Sequence, residues 1–213
     1  MASESAKLPL KIKICGLREA ENILAVASCG PDWLGFIFYS GSPRFVGYDF
    51  VMPVLPKGIS KVGVFVNEEP GLVGYEVRNY GLDLVQLSGT ETPEDCREVK
   101  KSGAGIIKVF HVGPDFDFGS TVAYEDVCEY FLFDTRSEGW GGSGKSFDWA
   151  LLDRYTGKVP FLLAGGLTPD NASIARSLQH KQFNGLDFNS GVEVSPGFKD
   201  VGLVKKILDK QNA

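Results

Sequence analysis

Cysteine is scarce in this chain and poorly spaced for cross-linking. The four present, Cys15, Cys29, Cys96 and Cys128, are spread widely, with no C-x-x-C pair and no cluster with histidine. That spacing argues against a disulfide frame or a zinc site and for reduced thiols in a cytosolic protein. Positive charge is also short. Against 27 Asp and Glu there are 22 Lys and Arg, a net charge of −5, so the basic footprint of a nucleic-acid binder is missing. No apolar run approaches the roughly 20 residues of a membrane span. Met1 to Leu10 forms a polar leader without the apolar h-region of a signal peptide. The expectation is a cytoplasmic protein that meets neither nucleic acid nor membrane.

Apolar residues are plentiful, 43% of 213 residues with 23% charged, enough for a sizeable core in one domain spanning 1–213. Short apolar runs recur along the chain. They end near 15, 38, 66, 87, 111, 134, 164 and 189, at intervals of 21 to 30 residues. Runs such as Phe131-Leu132-Phe133 are continuous rather than alternating, as strands covered on both faces should be. Each interval holds one helix-sized segment. Expected helices are Arg18–Ser28, Gly71–Tyr80, Glu94–Lys101 with Thr92-Pro93 as cap and first turn, and a stretch around Phe147–Tyr155. Pro169–Leu178 behind Thr168 and Val201–Leu208 complete the set. The stretch Phe118 to Val127 is weakly patterned but must carry a crossover. Eight such units without a linker predict an α/β fold, a single (β/α)8 barrel, since open doubly wound sheets normally stop at five or six strands.

In a barrel the residues just past the strand ends face one mouth. Here these include Cys15, Arg44, Asn67, Ser88, His111 and Asp134, then Gly165-Gly166 and Asn189-Ser190-Gly191. A thiol and a carboxyl from the first and sixth strands can flank a small substrate as general base and general acid. The competing readings are a small buried hydrophobe for Cys15 and a helix cap or loop salt bridge for Asp134. His111 reads as a rim residue, with nothing beside it to suggest a relay. Gly165, Gly166, Asn189, Ser190 and Gly191 occupy the two loops where barrels often hold a phosphate, and Gly142, Ser143 and Gly144 can add N–H donors. Each loop alone could be an ordinary turn; three converging suggest a phosphate ester.

Gly139 to Ser146 also matches G-x-x-x-x-G-K-[ST], the P-loop pattern. A P-loop nucleotide-binding protein is therefore the alternative from another class. Its context is wrong: Thr135 to Glu138 separate the strand from the first glycine, and the next strand ends in Gly165-Gly166 rather than an aspartate.

The chain resembles the phosphoribosylanthranilate isomerase family of tryptophan biosynthesis, from about Lys11 to Leu208. The marks are Lys13-Ile14-Cys15-Gly16-Leu17, Gly35-Phe36-Ile37-Phe38 with Ser42-Pro43-Arg44, and Val62 to Asn67. Val85-Gln86-Leu87, Gly141 to Trp149, Leu163 to Thr168 and Asn189 to Asp200 continue the pattern. The resemblance implies an aldose–ketose isomerase that performs an Amadori rearrangement without cofactor or metal. It implies Cys15 as base, Asp134 as acid, Arg44 on the anthranilate carboxylate and the glycine loops on the phosphate. For that chemistry the Asp134 pKa should be pushed up and that of Cys15 down, the latter by a positive neighbour or a local dipole. Two departures stand out: Ser88 where the family commonly has His, and Asn189 where it commonly has Ser. A monomer is expected, with a homodimer as the alternative. Rivals within the fold are a ribulose-phosphate epimerase, a histidine-pathway isomerase and a non-catalytic sugar-phosphate-binding barrel.

Overall fold

The computed structural model describes residues 10–135 and 149–209, with only the backbone at Thr135. Eight parallel strands close into a barrel in sequence order. They are β1 (Lys11–Ile14), β2 (Trp33–Ile37), β3 (Ser60–Phe65), β4 (Leu84–Leu87), β5 (Gly105–Val112), β6 (Tyr130–Thr135), β7 (Phe161–Ala164) and β8 (Phe183–Phe188). Closure comes from β1 against β8, with Lys13 opposite Asp187 and Ile14 opposite Phe188. All eight strands coincide with the apolar runs.

Those runs are continuous because both strand faces are buried, against different partners. Trp33, Val62, Ile107, Val109, Leu132 and Leu162 point inward and fill the barrel. Their neighbours Leu34, Ile106, Phe131, Phe133 and Leu163 point outward into a second core beneath the connecting segments. Burying each such side chain contributes about 1.5–3 kcal/mol. Nearer the mouth, Cys15, Ile37 and Val64 form a small third cluster.

The connections are less regular than one helix per interval. The α-helices among the described residues are α1 (Ala20–Ala27), α2 (Pro70–Tyr80), α3 (Pro93–Lys100), α4 (Ala172–Arg176) and α5 (Val201–Asp209). Helix α3 starts as expected, with Thr92 and Asp95 forming a reciprocal capping box and Pro93 in the first turn. Between β2 and β3 there is no helix. Pro43, Pro53 and Pro56 are interspersed there with Gly41, Gly47 and Gly58, and neither residue type sustains one. The segment instead lays Phe50 against Phe36 and Tyr80, with ring centroids 5.8 and 5.5 Å away.

The weakly patterned fifth crossover carries a 3₁₀ turn, Phe118–Tyr124, and the described part of the sixth carries another, Trp149–Arg154, where a helix around Phe147–Tyr155 is expected. Aromatic bulk covers the sheet there instead: Tyr155 packs on Phe133 at 5.1 Å and Phe133 on Phe161 at 5.0 Å. Helix α4 begins later than expected, with Asn171 rather than Thr168 as its N-cap. The Asn171 side chain accepts from the Thr168 N–H at 2.8 Å and donates to the Gly166 carbonyl at 2.9 Å. It thereby braces the loop after β7 and delays the helix. After β8 come a 3₁₀ turn (Ser190–Val192) and a small antiparallel ribbon, β9 (Glu193–Ser195) with β10 (Phe198–Lys199).

Candidate active site

Strand alternation places Lys13 and Cys15 on the same, inward face of β1 and its extension. The Cys15 amide continues the ladder, donating to the Phe188 carbonyl at 2.8 Å. Opposite lies Gly35 of β2, where a Cβ would come within 2.8 Å of Cys15 Sγ, 3.0 Å of Cys15 Cα and 3.1 Å of Lys13 Nζ. Only glycine leaves room for sulfur and ammonium to sit side by side. Lys13 is 0% exposed, and its Nζ donates to both oxygens of Asp187 at 3.0 Å.

Burial acts against every charge here. It opposes the Lys13 ammonium, but Asp187 and Cys15 outweigh it and hold Lys13 above the usual lysine range. It lifts the Asp187 carboxyl above its ordinary range despite Lys13. It also pushes the Cys15 thiol up, with Lys13 pulling the other way. The expected downward shift of Cys15 is therefore overturned: the positive neighbour exists, but desolvation exceeds it.

Asp134 ends the apolar part of β6 and lines the same cavity as Cys15, a mouth of about 780 Å³. That volume falls within the roughly 300–1,000 Å³ usual for small-molecule sites. His111, paired with Asp134 in the β5–β6 register, stands half-exposed at the rim. Its Nδ1 lies 3.4 Å from Asp134 Oδ2. The rim position is as expected; the contact is not. Ser88 also reaches this cavity and accepts a hydrogen bond from Gln86 Nε2 at 3.1 Å.

Gly165, Gly166, Asn189, Ser190 and Gly191 all line the cavity. Gly165 and Gly166 have φ of 91° and 62°, a left-handed pair that side chains would strain. At Gly191 a Cβ would fall 1.9 Å from the Leu167 carbonyl oxygen, so the seventh and eighth loops touch through backbone. Gly142, Ser143 and Gly144, together with the P-loop-like stretch, lie outside the described residues.

Arg44 does not line the cavity. Its guanidinium is held edge-on by Glu193, with Nε at 2.9 and 3.1 Å from the two carboxylate oxygens and Nη2 at 2.7 Å from one of them. Its stem crosses Gly16, where a Cβ would meet Arg44 Cδ at 2.8 Å. Glu193 also accepts from Lys199 Nζ at 2.6 Å, and Lys199 reaches Asn189 Oδ1 at 2.8 Å. Burial works against the Glu193 carboxylate, but Arg44 and Lys199 hold it below its usual range. The arginine and the eighth loop thus share one anchor.

Lys13, Asp187, Glu193 and Lys199 were not singled out from sequence. A lysine two residues before Cys15 in a strand otherwise buried on both faces was the available signal, since a buried lysine requires a partner. The partner, Asp187, lies 174 residues away. Among the described residues, no group of three or more His, Cys, Asp or Glu side chains could hold a metal ion, and no helix is long and apolar enough to cross a membrane.

The family model described as N-(5'-phosphoribosyl)anthranilate (PRA) isomerase matches residues 12–210. A relative so named from Phocaeicola vulgatus is 46% identical over 199 residues, covering 93% of this chain and 96% of its own. Another from Parabacteroides distasonis is 45% identical over 207 residues, covering 93% and 92%. Among solved structures, phosphoribosyl anthranilate isomerase from Thermotoga maritima superposes with a TM-score of 0.80 at 32% identity, over 95% of this chain and 98% of that one. A phosphoribosyl anthranilate isomerase in complex with reduced 1-(o-carboxyphenylamino)-1-deoxyribulose 5-phosphate gives 0.79 at 30%, over 95% and 98%.

Proposed function

Because the chain belongs to the N-(5'-phosphoribosyl)anthranilate isomerase family, we propose that it converts N-(5-phosphoribosyl)anthranilate into 1-(2-carboxyphenylamino)-1-deoxyribulose 5-phosphate in tryptophan biosynthesis. The observation that carries this reading is a single cavity receiving Cys15, Asp134 and both glycine-bearing loops.

In this reading Asp134 gives a proton to the furanose oxygen, and the ring opens to a Schiff base. The C2 proton is then acidic, and the Cys15 thiolate removes it to leave an enolamine. Ketonisation puts a proton on C1 and takes one from the C2 hydroxyl, so no atom is gained or lost. Such positioned acid–base groups contribute about 10²–10⁴-fold each. Backbone N–H groups around Gly165, Gly166, Ser190 and Gly191, with the Asn189 amide, take the phosphate, and Gly142, Ser143 and Gly144 join them. Arg44, outside the cavity lining but crossing Gly16 next to Cys15, is assigned the anthranilate carboxylate, through the edge of its fork that Glu193 leaves open, Nη1 and the second Nη2 proton.

We propose one barrel domain that acts as a monomer in the cytoplasm. A structural relative from Thermotoga maritima is described as dimeric; sedimentation of the active protein distinguishes the two states. The reaction itself is tested by adding the protein to freshly made phosphoribosylanthranilate and identifying the product by mass and chromatography. Appearance of the amino-ketose supports the reading. Tight binding without conversion would instead favour a non-catalytic sugar-phosphate-binding barrel.

A further inference from the structure

A thiol acts as a base only after losing its proton, and Cys15 sits where that loss is costly. The charged groups facing it come from three elements: Lys13 on its own strand, Asp187 on β8 and Lys199 on β10. Asp134 on β6 enters one step removed, through Asp187. Lys13 is the strongest counterweight to burial. An ammonium has three protons to donate. Two oxygens of Asp187 stand at 3.0 Å, which leaves a third proton for the sulfur, and Nζ and Sγ both border the space that Gly35 leaves vacant. A purely structural ion pair would not require a glycine opposite to admit a thiol.

Resting on the reading of Cys15 as the base, we propose that Lys13 is a positioning residue whose ammonium is the built-in counter-cation of the Cys15 thiolate, clamped at the sulfur by Asp187. The clamp matters in both halves of the cycle. While sulfur is anionic, Lys13 stabilises it. Once sulfur carries the proton from C2, Asp187 keeps the ammonium from becoming an unpaired buried charge. Lys13 itself neither gains nor loses a proton.

The test reads the sulfur directly, without turnover. Alkylation of Cys15 by iodoacetamide, followed by peptide mass spectrometry against pH, reports its thiolate fraction. In the double variant Lys13→Met/Asp187→Asn both charges are removed, leaving no lone buried ion. Lys13 outweighs Asp187 at the sulfur, so the Cys15 midpoint should move to higher pH. Alkylation near neutrality should be about tenfold slower or more, the effect of one pKa unit, and the acid limb of kcat/KM should move in parallel. An unchanged midpoint in the folded double variant overturns the proposal.

Wild-type protein gives a second reading that does not depend on the variant folding. The carbon-13 resonance of Lys13 Cε should move through the Cys15 titration and lose that inflection in Cys15→Ser. A Lys13 signal indifferent to the thiol overturns the proposal as well. If Cys15→Ala retained turnover, the base assignment would fall, while alkylation and resonance would still report whether the ion pair exists.

Discussion

Cys15 and Arg44 show how single side chains are held ready by groups far away in sequence. Burial pushes the Cys15 thiol up, and the proposed base is its deprotonated form. The sign follows: kcat/KM should rise with pH through the thiol's titration, with a midpoint above that of an exposed cysteine. A profile flat across that range would contradict the role. Arg44 is splayed against Glu193 by three short contacts, so it is pre-oriented before any ligand arrives. Arg44→Ala should raise KM about tenfold or more, in line with the 1.5–3 kcal/mol of a hydrogen bond to a charged group, while kcat changes little. Unchanged KM and kcat would remove it from the site. Cys15 and Asp134 were legible as residue types at the ends of apolar runs, whereas Arg44, on the loop after the second run, drew its role from the family resemblance alone. Lys13 and Asp187 were not, because a β1–β8 pairing that closes a ring leaves no local trace in either strand.

The loops after β7 and β8 act as one element, because Gly191 packs against the Leu167 carbonyl with no room for a methyl group. Gly191→Ala should force them apart and weaken the phosphate grip, raising KM about tenfold, with a stability loss of about 1–3 kcal/mol from overpacking. Kinetics with the phosphate ester, beside a urea melt, check both; wild-type KM would show that the contact is dispensable. Helices were legible where a local signal fixed them, as Thr92 and Pro93 do for α3. They were not where side chains outside the helix intervened. Asn171 spends its amide on Thr168 and Gly166, and the turns at Phe118 and Trp149 depend on aromatic packing rather than periodicity.

Over the whole molecule, closure of the ring is what turns residues more than a hundred positions apart into neighbours. Lys108, pointing outward from β5, ties three strand ends at the mouth. Its Nζ donates to the Leu87 and Gly89 carbonyls at 3.2 and 2.8 Å and to Glu91 at 2.8 Å, while Glu91 accepts from the Asn67 amide at 2.8 Å. Lys108→Met should destabilise by about 3–5 kcal/mol, the cost of stranding a buried carboxylate, as read by urea unfolding. A loss below about 1 kcal/mol would show that the knot is not structural. The barrel was legible because eight apolar runs recur at near-constant spacing. The helix count was not, since prolines and glycines between β2 and β3 still allow a crossover while forbidding a helix.

The central claim is that Cys15 and Asp134 divide the proton transfers of one isomerisation. The most direct measurement is the loss of fluorescence of freshly prepared phosphoribosylanthranilate with wild-type protein, Cys15→Ala and Asp134→Asn, each checked for an unchanged thermal melt. Rapid loss with wild type and a fall of about 10²-fold or more in each folded variant is the predicted result. Near-wild-type rates in either variant would contradict it.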